Sequence, residues 1–160
     1  MEKAILELLE QDAKITAKQI ALALGVDEAV VADTIRMLEE KDVIAGYKTF
    51  IDWDKVGGDG VTALIEIKVI PQQGKGFERI AERMSQYDEV DSVYLMSGAY
   101  DIAVTVNGKS LREVACFVSE KIAPLEYVTS TATHFVLKKF KDKGVIYRNT
   151  EMNQERGYAF

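Results

Sequence analysis

The stretch GVDEAVVADTIRMLEEKDVI, residues 25–44, decides the fold of the first third of the chain. Its apolar residues recur at helical spacing, which predicts an amphipathic helix. Asp27 is a suitable N-cap, and Gly25 is a suitable end for a preceding helix because glycine readily adopts the left-handed conformation. Two helices joined by a short turn that contains glycine form a helix-turn-helix, whose second helix usually enters DNA. The inward stripe of the helix that Asp27 caps is Val31, Ile35 and Leu38.

The residues on either side extend this motif. Ala4–Glu10 predicts a first helix, and Thr16 is a hydroxyl N-cap for a second helix that ends at Gly25. Val43–Asp52 predicts a turn and a strand, in the place of the wing of a winged helix-turn-helix. WDKVGGDG, Trp53–Gly60, shows no apolar periodicity and is rich in glycine. It is therefore predicted to be a linker between two domains.

The second half of the chain alternates strand and helix patterns. Apolar and polar residues alternate along the predicted strands, as expected for a sheet with one buried face. Ser110 and Glu113 match the capping box of a helix start. The order strand–helix–strand–strand–helix–strand is that of a ferredoxin-like domain. The predicted elements are strand Val61–Ile70, helix Gly76–Tyr87, strands Val90–Met96 and Tyr100–Val106, a helix after Ser110, and strand Thr129–Phe140.

The composition favours a globular, non-catalytic protein. Hydrophobic residues make up 48% and charged residues 29% of the chain, and no apolar run approaches the roughly 20 residues of a membrane span. The opening MEKAILELLEQ has glutamates where a signal peptide needs an apolar run, so we expect a cytoplasmic protein without membrane contact. Cys116 and His134 are single and far apart, and no P-loop or dinucleotide motif occurs. We therefore expect no enzyme, no metal site and no cofactor.

The charge is unevenly distributed. Residues 1–60 hold seven Lys or Arg and thirteen Asp or Glu, so they carry the whole net charge of −6, while residues 61–160 hold thirteen of each kind. A protein that binds nucleic acid usually presents a basic face. The acidic excess therefore lies on the part of the chain that carries the DNA-binding motif.

With both halves placed, the chain resembles the Lrp/AsnC family of transcription regulators. The resemblance rests on ILELLEQDAKITAKQIALALGV, MLEEKDVIAGYKTFID, SGAYDIAVTV and TSTATHFVLKKFK, in this order. It implies an α+β protein with a winged helix-turn-helix domain at residues 1–52, a linker at 53–60, a ferredoxin-like ligand-sensing and oligomerisation domain at 61–143, and a tail at 144–160. It also implies double-stranded DNA and an amino acid or related small acid as ligands. The resemblance further implies dimers that form through the sheet and that often assemble into octamers.

The resemblance places an effector site on the hairpin between the second and third strands and on the last strand. A carboxylate can bind an α-ammonium group, while hydroxyls and the N–H groups of a glycine turn can bind an α-carboxylate. The alternative is that GAYD forms only a tight turn, in which the Asp101 side chain bonds to its own backbone. The family usually has a small hydroxyl residue where this chain has His134. The predicted effector residues are Gly98, Tyr100, Asp101, Thr131, Thr133 and His134.

Family members commonly place serine and arginine where this chain has Ala32, Asp33 and Thr34. Three hypotheses follow. In the first, the protein is a DNA-binding regulator whose weak contacts are offset by multivalency. In the second, it has lost DNA binding, senses an amino acid, and acts by mixing with a basic paralogue or by another interaction. In the third, it is a small-molecule sensor with a protein partner. Under the first hypothesis the predicted DNA contacts are Lys18, Thr34, Arg36, Lys41, Lys48 and Thr49.

Overall fold

The computed structural model of the chain describes residues 1–58, 60–70 and 76–147. The chain divides into two compact units, an N-terminal unit at Met1–Ile51 and a C-terminal unit that begins at Asp52. The tail beyond residue 147 lies outside the described residues. No helix in the described ranges is long and apolar enough to cross a membrane.

The N-terminal unit consists of three helices, as the sequence predicts. They are α1 (Glu2–Gln11), α2 (Ala17–Leu24) and α3 (Glu28–Glu40). Their inward faces form one small core from all three helices, since apolar side chains at helical spacing lie on one side of each. The buried members of this core are Ile5, Ile20, Ala21 and Val31.

The two ends of α2 and the start of α3 are fixed by local interactions. Thr16 and Gln19 form a reciprocal capping box at the start of α2, with the Gln19 N–H donating to the Thr16 hydroxyl at 3.2 Å. Gly25 ends α2 in the left-handed conformation, at φ 66°. The Asp27 carboxylate then accepts from the Ala29 N–H at 2.8 Å and caps α3. These contacts confirm the predicted start and end of α2 and the predicted start of α3.

The strand predicted within Val43–Asp52 is wrong. Asp42 has a positive φ of 54°, and the N–H groups of Val43 and Ile44 both donate to the Leu38 carbonyl, so the chain first turns back on α3. The residues that follow, up to Asp52, belong to no strand, and no described segment forms a ladder with them. A strand exists only where a second strand accepts and donates its backbone hydrogen bonds, which a local pattern does not reveal.

The C-terminal unit has the predicted strand and helix order. Its sheet has the strand order β2-β3-β1-β4, and every neighbouring pair is antiparallel. The ferredoxin-like prediction is therefore confirmed. The elements are β1 (Val61–Val69), α4 (Gly76–Met84), β2 (Val90–Leu95), β3 (Ile102–Gly108), α5 (Leu111–Phe117) with a π-helical continuation at Val118–Ile122, and β4 (Val128–Phe135).

The sheet has one face covered by the helices and one face opposite to them. On β1 the covered face carries Ile65 and Ile67, which are fully buried, together with Ala63 and Val69. This face packs against residues of α4 and α5, including Met84. We call the opposite face, which carries the alternate residues of β1 at positions 62, 64, 66 and 68, the open face. The alternation follows from the two-residue period of a strand.

The end of the described chain differs from the prediction. The last strand of the sheet ends at Phe135 rather than at Phe140. A small hairpin follows, β5 (Lys141–Asp142) and β6 (Val145–Ile146), where no structure was predicted. Lys143 and Gly144 connect its strands, both at positive φ, which is the conformation that tight hairpin turns favour.

Ile65→Ala tests the assignment of the two faces of β1. Ile65 is fully buried, so its truncation should lower the free energy of unfolding by about 2–5 kcal/mol. Lys68→Ala, at an exposed position of the same strand, should stay within about 0.5 kcal/mol of the parent. Denaturant unfolding measures both values, and comparable losses in the two variants would contradict the assignment.

Candidate DNA-binding and effector sites

The outermost line of helix α3 carries more negative than positive charge. Ala29, Asp33, Arg36 and Glu40 are exposed and lie opposite the buried stripe of this helix, as their spacing along 3.6 residues per turn requires. Arg36 is the only basic residue within Glu28–Glu40. The helix that a helix-turn-helix presents to DNA therefore has one cation on its outer face.

This one cation is already paired. The Nη2 group of Arg36 donates to Oδ1 of Asp33 at 2.7 Å, across three residues of α3. The two side chains are 69% and 67% exposed, so the pair lies in solvent. Such exposed helical pairs contribute only about 0.3–0.5 kcal/mol to stability. The pair therefore changes the electrostatics of the outer face more than the stability of the fold.

Thr34 does not lie where a DNA contact requires it. Its residue is 8% exposed, and its hydroxyl donates to the Val30 carbonyl at 2.7 Å, one turn earlier on α3. Position 34 belongs to the inward side of the helix, next to Val31 and Leu38, because these positions are three or four residues apart. The prediction that Thr34 contacts DNA is therefore wrong.

The other predicted DNA contacts are exposed. Lys18 lies in the first turn of α2, Lys41 is the C-cap of α3, and Lys48 and Thr49 follow in the segment after α3. This segment is tied to the helix by Tyr47, whose hydroxyl donates to Oε1 of Glu39 at 2.9 Å. Partial burial and the Glu39 carboxylate raise the pKa of Tyr47 above its usual value, because both disfavour the phenolate.

The hairpin loop with the predicted effector residues is attached to β1 through Asp101. The Asp101 carboxylate accepts from the Val69 N–H at 2.8 Å, and the Asp101 N–H donates to the Ile67 carbonyl at 3.0 Å. The loop itself is closed by the Met96 N–H, which donates to the Asp101 carbonyl at 2.8 Å. The carboxylate therefore bonds to the backbone of β1, 32 residues away, and not to the backbone of its own turn as the alternative hypothesis expected. A carboxylate offers about four acceptor positions, so this contact leaves capacity for a ligand.

The predicted effector residues on β4 lie on two different faces of the sheet. Thr131 pairs with Ile67 and Thr133 with Ile65, so both threonines share the covered face and are half-buried. His134 pairs with Leu64 and lies on the open face. The strand separates His134 from the two threonines because successive side chains point to opposite faces. The sequence-based grouping of His134 with Thr131 and Thr133 in one site is therefore wrong within a single chain.

His134 instead approaches an acidic residue. Its Nε2 atom lies 3.5 Å from Oε2 of Glu66, with side-chain exposures of 57% and 34%. Glu66 is on β1 and pairs directly with Ala132, two residues before His134 on β4. The contact is therefore a diagonal one across neighbouring strands of the open face.

An ion pair that no sequence pattern indicated joins two elements of the C-terminal unit. Lys121 donates to Oε1 of Glu89 at 2.6 Å and lies over the rings of Tyr87 and Phe117, at 5.4 and 5.3 Å from their centroids. The hydrogen bond from Lys121 lowers the pKa of Glu89, and the same bond raises the pKa of Lys121. Thirty-two residues separate the partners, so no local pattern could have found them.

A groove of about 560 Å³ lies away from the predicted effector residues. It opens between the open face of the sheet and residues 136–143, and hydroxyl groups and lysines line it. Its lining includes Tyr94, Thr105, Lys139 and Lys141 but none of the effector residues that the sequence indicated. Size alone therefore does not identify the effector site. In the described part of the chain, no group of three or more His, Cys, Asp or Glu side chains could hold a metal ion.

Two known protein families match separate parts of the chain. Residues 1–45 match the family described as winged helix-turn-helix DNA-binding, and residues 62–146 match the Lrp/AsnC ligand binding domain. The first match ends at residue 45, before most of the segment in which the strand was predicted. The second match spans more than half of the chain. This chain belongs to the Lrp/AsnC family.

Individual relatives support the same assignment. The chain is 46% identical over 147 residues to the uncharacterized HTH-type transcriptional regulator YugG of Bacillus subtilis, covering 91% of this chain and 89% of the relative. It is 30% identical over 140 residues to the HTH-type transcriptional regulator LrpA of Pyrococcus horikoshii, covering 88% and 96%. The fold resembles that of a transcriptional regulator from Neisseria meningitidis solved in complex with L-Met, with a TM-score of 0.69, 17% identity and coverage of 94% and 96%.

The family assignment gives the general function. The protein is a DNA-binding transcription regulator of the Lrp/AsnC type, since its two domains and its curated relatives are those of such regulators and not of enzymes. The N-terminal unit provides the DNA-binding helices, and the C-terminal unit contains the ligand-binding domain.

Asp101→Ala tests the structural part of the role of Asp101. Its removal leaves the Val69 N–H of a partly buried segment without this acceptor, so the free energy of unfolding should fall by about 1–3 kcal/mol. Asp101→Asn retains an oxygen that can accept the same hydrogen bond and should lose less. Asp88 is an exposed aspartate of the same unit, and Asp88→Ala should change the free energy of unfolding by less than about 0.5 kcal/mol. Denaturant unfolding compares the three variants, and equal losses would contradict a stabilising role for the hydrogen bond between the Asp101 carboxylate and the Val69 N–H.

Proposed function

We propose that this regulator responds to an amino acid or a related small acid and that each of its DNA-binding helices makes weak contacts with DNA. The weak contacts with DNA are inferred from the ion pair between Arg36 and Asp33. It engages the only basic side chain on the outer face of α3 and places a carboxylate at the same surface. The relatives support regulation of transcription, and the weakness of the contacts is inferred from this chain alone.

Weak contacts follow from the physics of phosphate binding. Each cation that meets a phosphate releases a counterion, which contributes to affinity and makes it depend on salt. A carboxylate on the same surface adds repulsion instead. The exposed cations of the N-terminal unit are Lys3, Lys14, Lys18, Arg36, Lys41 and Lys48, and we assign the last four of these to DNA.

Assembly offsets weak single contacts. When several identical helices bind one DNA molecule, the later binding events become intramolecular, and avidity can exceed single-site affinity by about 10²–10⁴. We therefore propose a homodimer, with larger assemblies up to an octamer, as the form that binds DNA. This agrees with the assemblies that the family resemblance implies.

The effector part of the proposal rests on the loop Met96–Asp101. Asp101 carries a carboxylate at the end of β1, and open space lies beside Gly98, so a ligand can approach the loop backbone. We assign the charged end of the effector to Gly98, Tyr100 and Asp101. Thr131 lies two strands away from Asp101, or about 10 Å at the usual strand spacing, so it would serve a more distant part of the ligand. The complex of the Neisseria regulator with L-Met supports the class of ligand.

A salt series measures the DNA contacts. The full-length protein should bind the DNA upstream of its own gene, by fluorescence anisotropy, with an affinity that falls as salt rises. Lys41→Gln should reduce the slope of log K against log salt by about 1 for each bound helix. Lys3→Gln is the matched control, because Lys3 lies on α1 and is not among the predicted DNA contacts, and it should leave the slope unchanged.

The absence of binding at low salt by folded, oligomeric protein would reject the DNA part of this proposal. It would favour the alternative function, an amino-acid sensor that acts through a protein partner or a hetero-oligomer. The Arg36–Asp33 pair is the observation that favours this alternative, since it removes net positive charge from the outer face of α3.

Ligand-induced thermal shifts test the effector part. A panel of L-amino acids that includes L-methionine should contain members that raise the melting temperature of the parent, because a ligand that binds only the folded state stabilises it. Asp101→Asn should abolish the shift, since it removes the charge but keeps an acceptor for the Val69 N–H. Asp88→Asn should leave the shift unchanged. A full shift in Asp101→Asn would exclude Asp101 from the site, and no shift in the parent would reject amino acids as the ligand class.

A further inference from the structure

The Asp33–Arg36 pair occupies the centre of the outer face of α3. Ala29 lies four residues before Asp33 and Ala32 four residues before Arg36, and both alanines are exposed. Neighbours four residues apart lie beside each other on a helix. On its N-terminal side the charged pair is therefore flanked by two side chains of a single carbon, which allow this part of α3 to approach a surface closely, while Glu40 lies four residues after Arg36.

Neither folding nor phosphate binding explains the carboxylate of this pair. A solvent-exposed ion pair adds little to stability. A carboxylate on the surface that meets DNA repels phosphates and reduces the counterion release on which non-specific affinity depends. Where α3 meets DNA, Asp33 therefore opposes general binding to phosphates, and base recognition is the contact in which it could act favourably.

The chemistry of arginine supplies such a role. The guanidinium group has five N–H donors in a planar fork, and the contact with Asp33 engages one donor of Nη2. Guanine presents two acceptors, O6 and N7, in the major groove, and arginine can donate to both at once. A guanidinium that a carboxylate already holds in place has less freedom to lose when it makes this two-bond contact.

We propose that Asp33 and Arg36 act together as a guanine-reading unit, in which Asp33 orients Arg36 and Arg36 donates two hydrogen bonds to one guanine of the operator. Asp33 is then a positioning residue that increases sequence preference at the expense of general affinity. This inference rests on the proposed function in one respect, that α3 still meets DNA.

Selection from a randomised duplex library with the full-length protein tests the inference. The parent should enrich duplexes with guanine at one fixed position of each half-site, by roughly ten- to a hundredfold over other bases. Arg36→Lys keeps the charge but loses the planar fork, so it should lose this preference while the salt dependence of binding stays as in the parent. Lys41→Gln is the control, which should weaken binding to all duplexes and leave the base preference intact.

Asp33→Ala separates the two roles of the carboxylate. The inference expects that this variant binds all duplexes more tightly but loses guanine preference by about twofold at the same position, which is the factor that the small energy of an exposed helical pair allows, with partial rescue in Asp33→Asn. If Asp33 only repels DNA, affinity will rise with the preference unchanged, and the inference is overturned. Thermal unfolding of each variant shows that its fold is kept, as expected for exposed positions.

The two possible failures are distinguishable. If the parent retains no duplex at all, DNA binding is rejected, and the guanine-reading unit is rejected with it; if the parent retains duplexes without preferring any base, DNA binding stands and only the guanine-reading unit is rejected. If the parent enriches duplexes but neither Arg36→Lys nor Asp33→Ala changes the preference at any position, DNA binding stands and only the guanine-reading unit is rejected.

Discussion

Strand β1 is hydrogen-bonded along both edges, to β3 on one side and to β4 on the other. Its buried side chains, Ile65 and Ile67, are packed against the helices, so a shift by one residue would move them to the open face. The register is therefore fixed by burial. The same register places Asp101 beside Ile67 and Val69, and it assigns Thr131 and Thr133 to one face and His134 to the other. The geometry around the loop Met96–Asp101 is thus a consequence of how one strand packs.

What the sequence could predict follows from the range of the interactions. The helices of the N-terminal unit were predictable because their caps and stripes are local, as the capping box at Thr16 and the left-handed Gly25 show. The order of strands and helices along the C-terminal unit was predictable because alternation and turn residues are local as well. The strand within Val43–Asp52 was not, since a strand needs a partner, and the Glu89–Lys121 pair joins residues far apart in the chain. The resemblance to the family indicated Asp101, but only coordinates could show that its carboxylate binds the Val69 N–H.

The error at Thr34 has a separate cause. A helix of thirteen residues with inward positions at 31, 35 and 38 leaves position 34 at the border of the buried stripe, where a short hydroxyl can point either way. In the structure the hydroxyl bonds to the carbonyl of the preceding turn, as threonine often does in helices. Periodicity gives the side of the helix on which a residue lies, but it does not decide between a solvent contact and a local backbone contact at such a border.

The acidic start of α3 shows how folding and binding place different demands on the same residues. Asp27 caps the helix, and Glu28 in its first turn interacts favourably with the helix dipole, each contributing up to about 1 kcal/mol. The same charges oppose a phosphate backbone that approaches this end. Affinity for DNA depends mainly on phosphate contacts, whereas discrimination depends on base contacts. A helix that loses cations therefore loses affinity first, and the sequence preference that it keeps depends on the few side chains that can reach base edges.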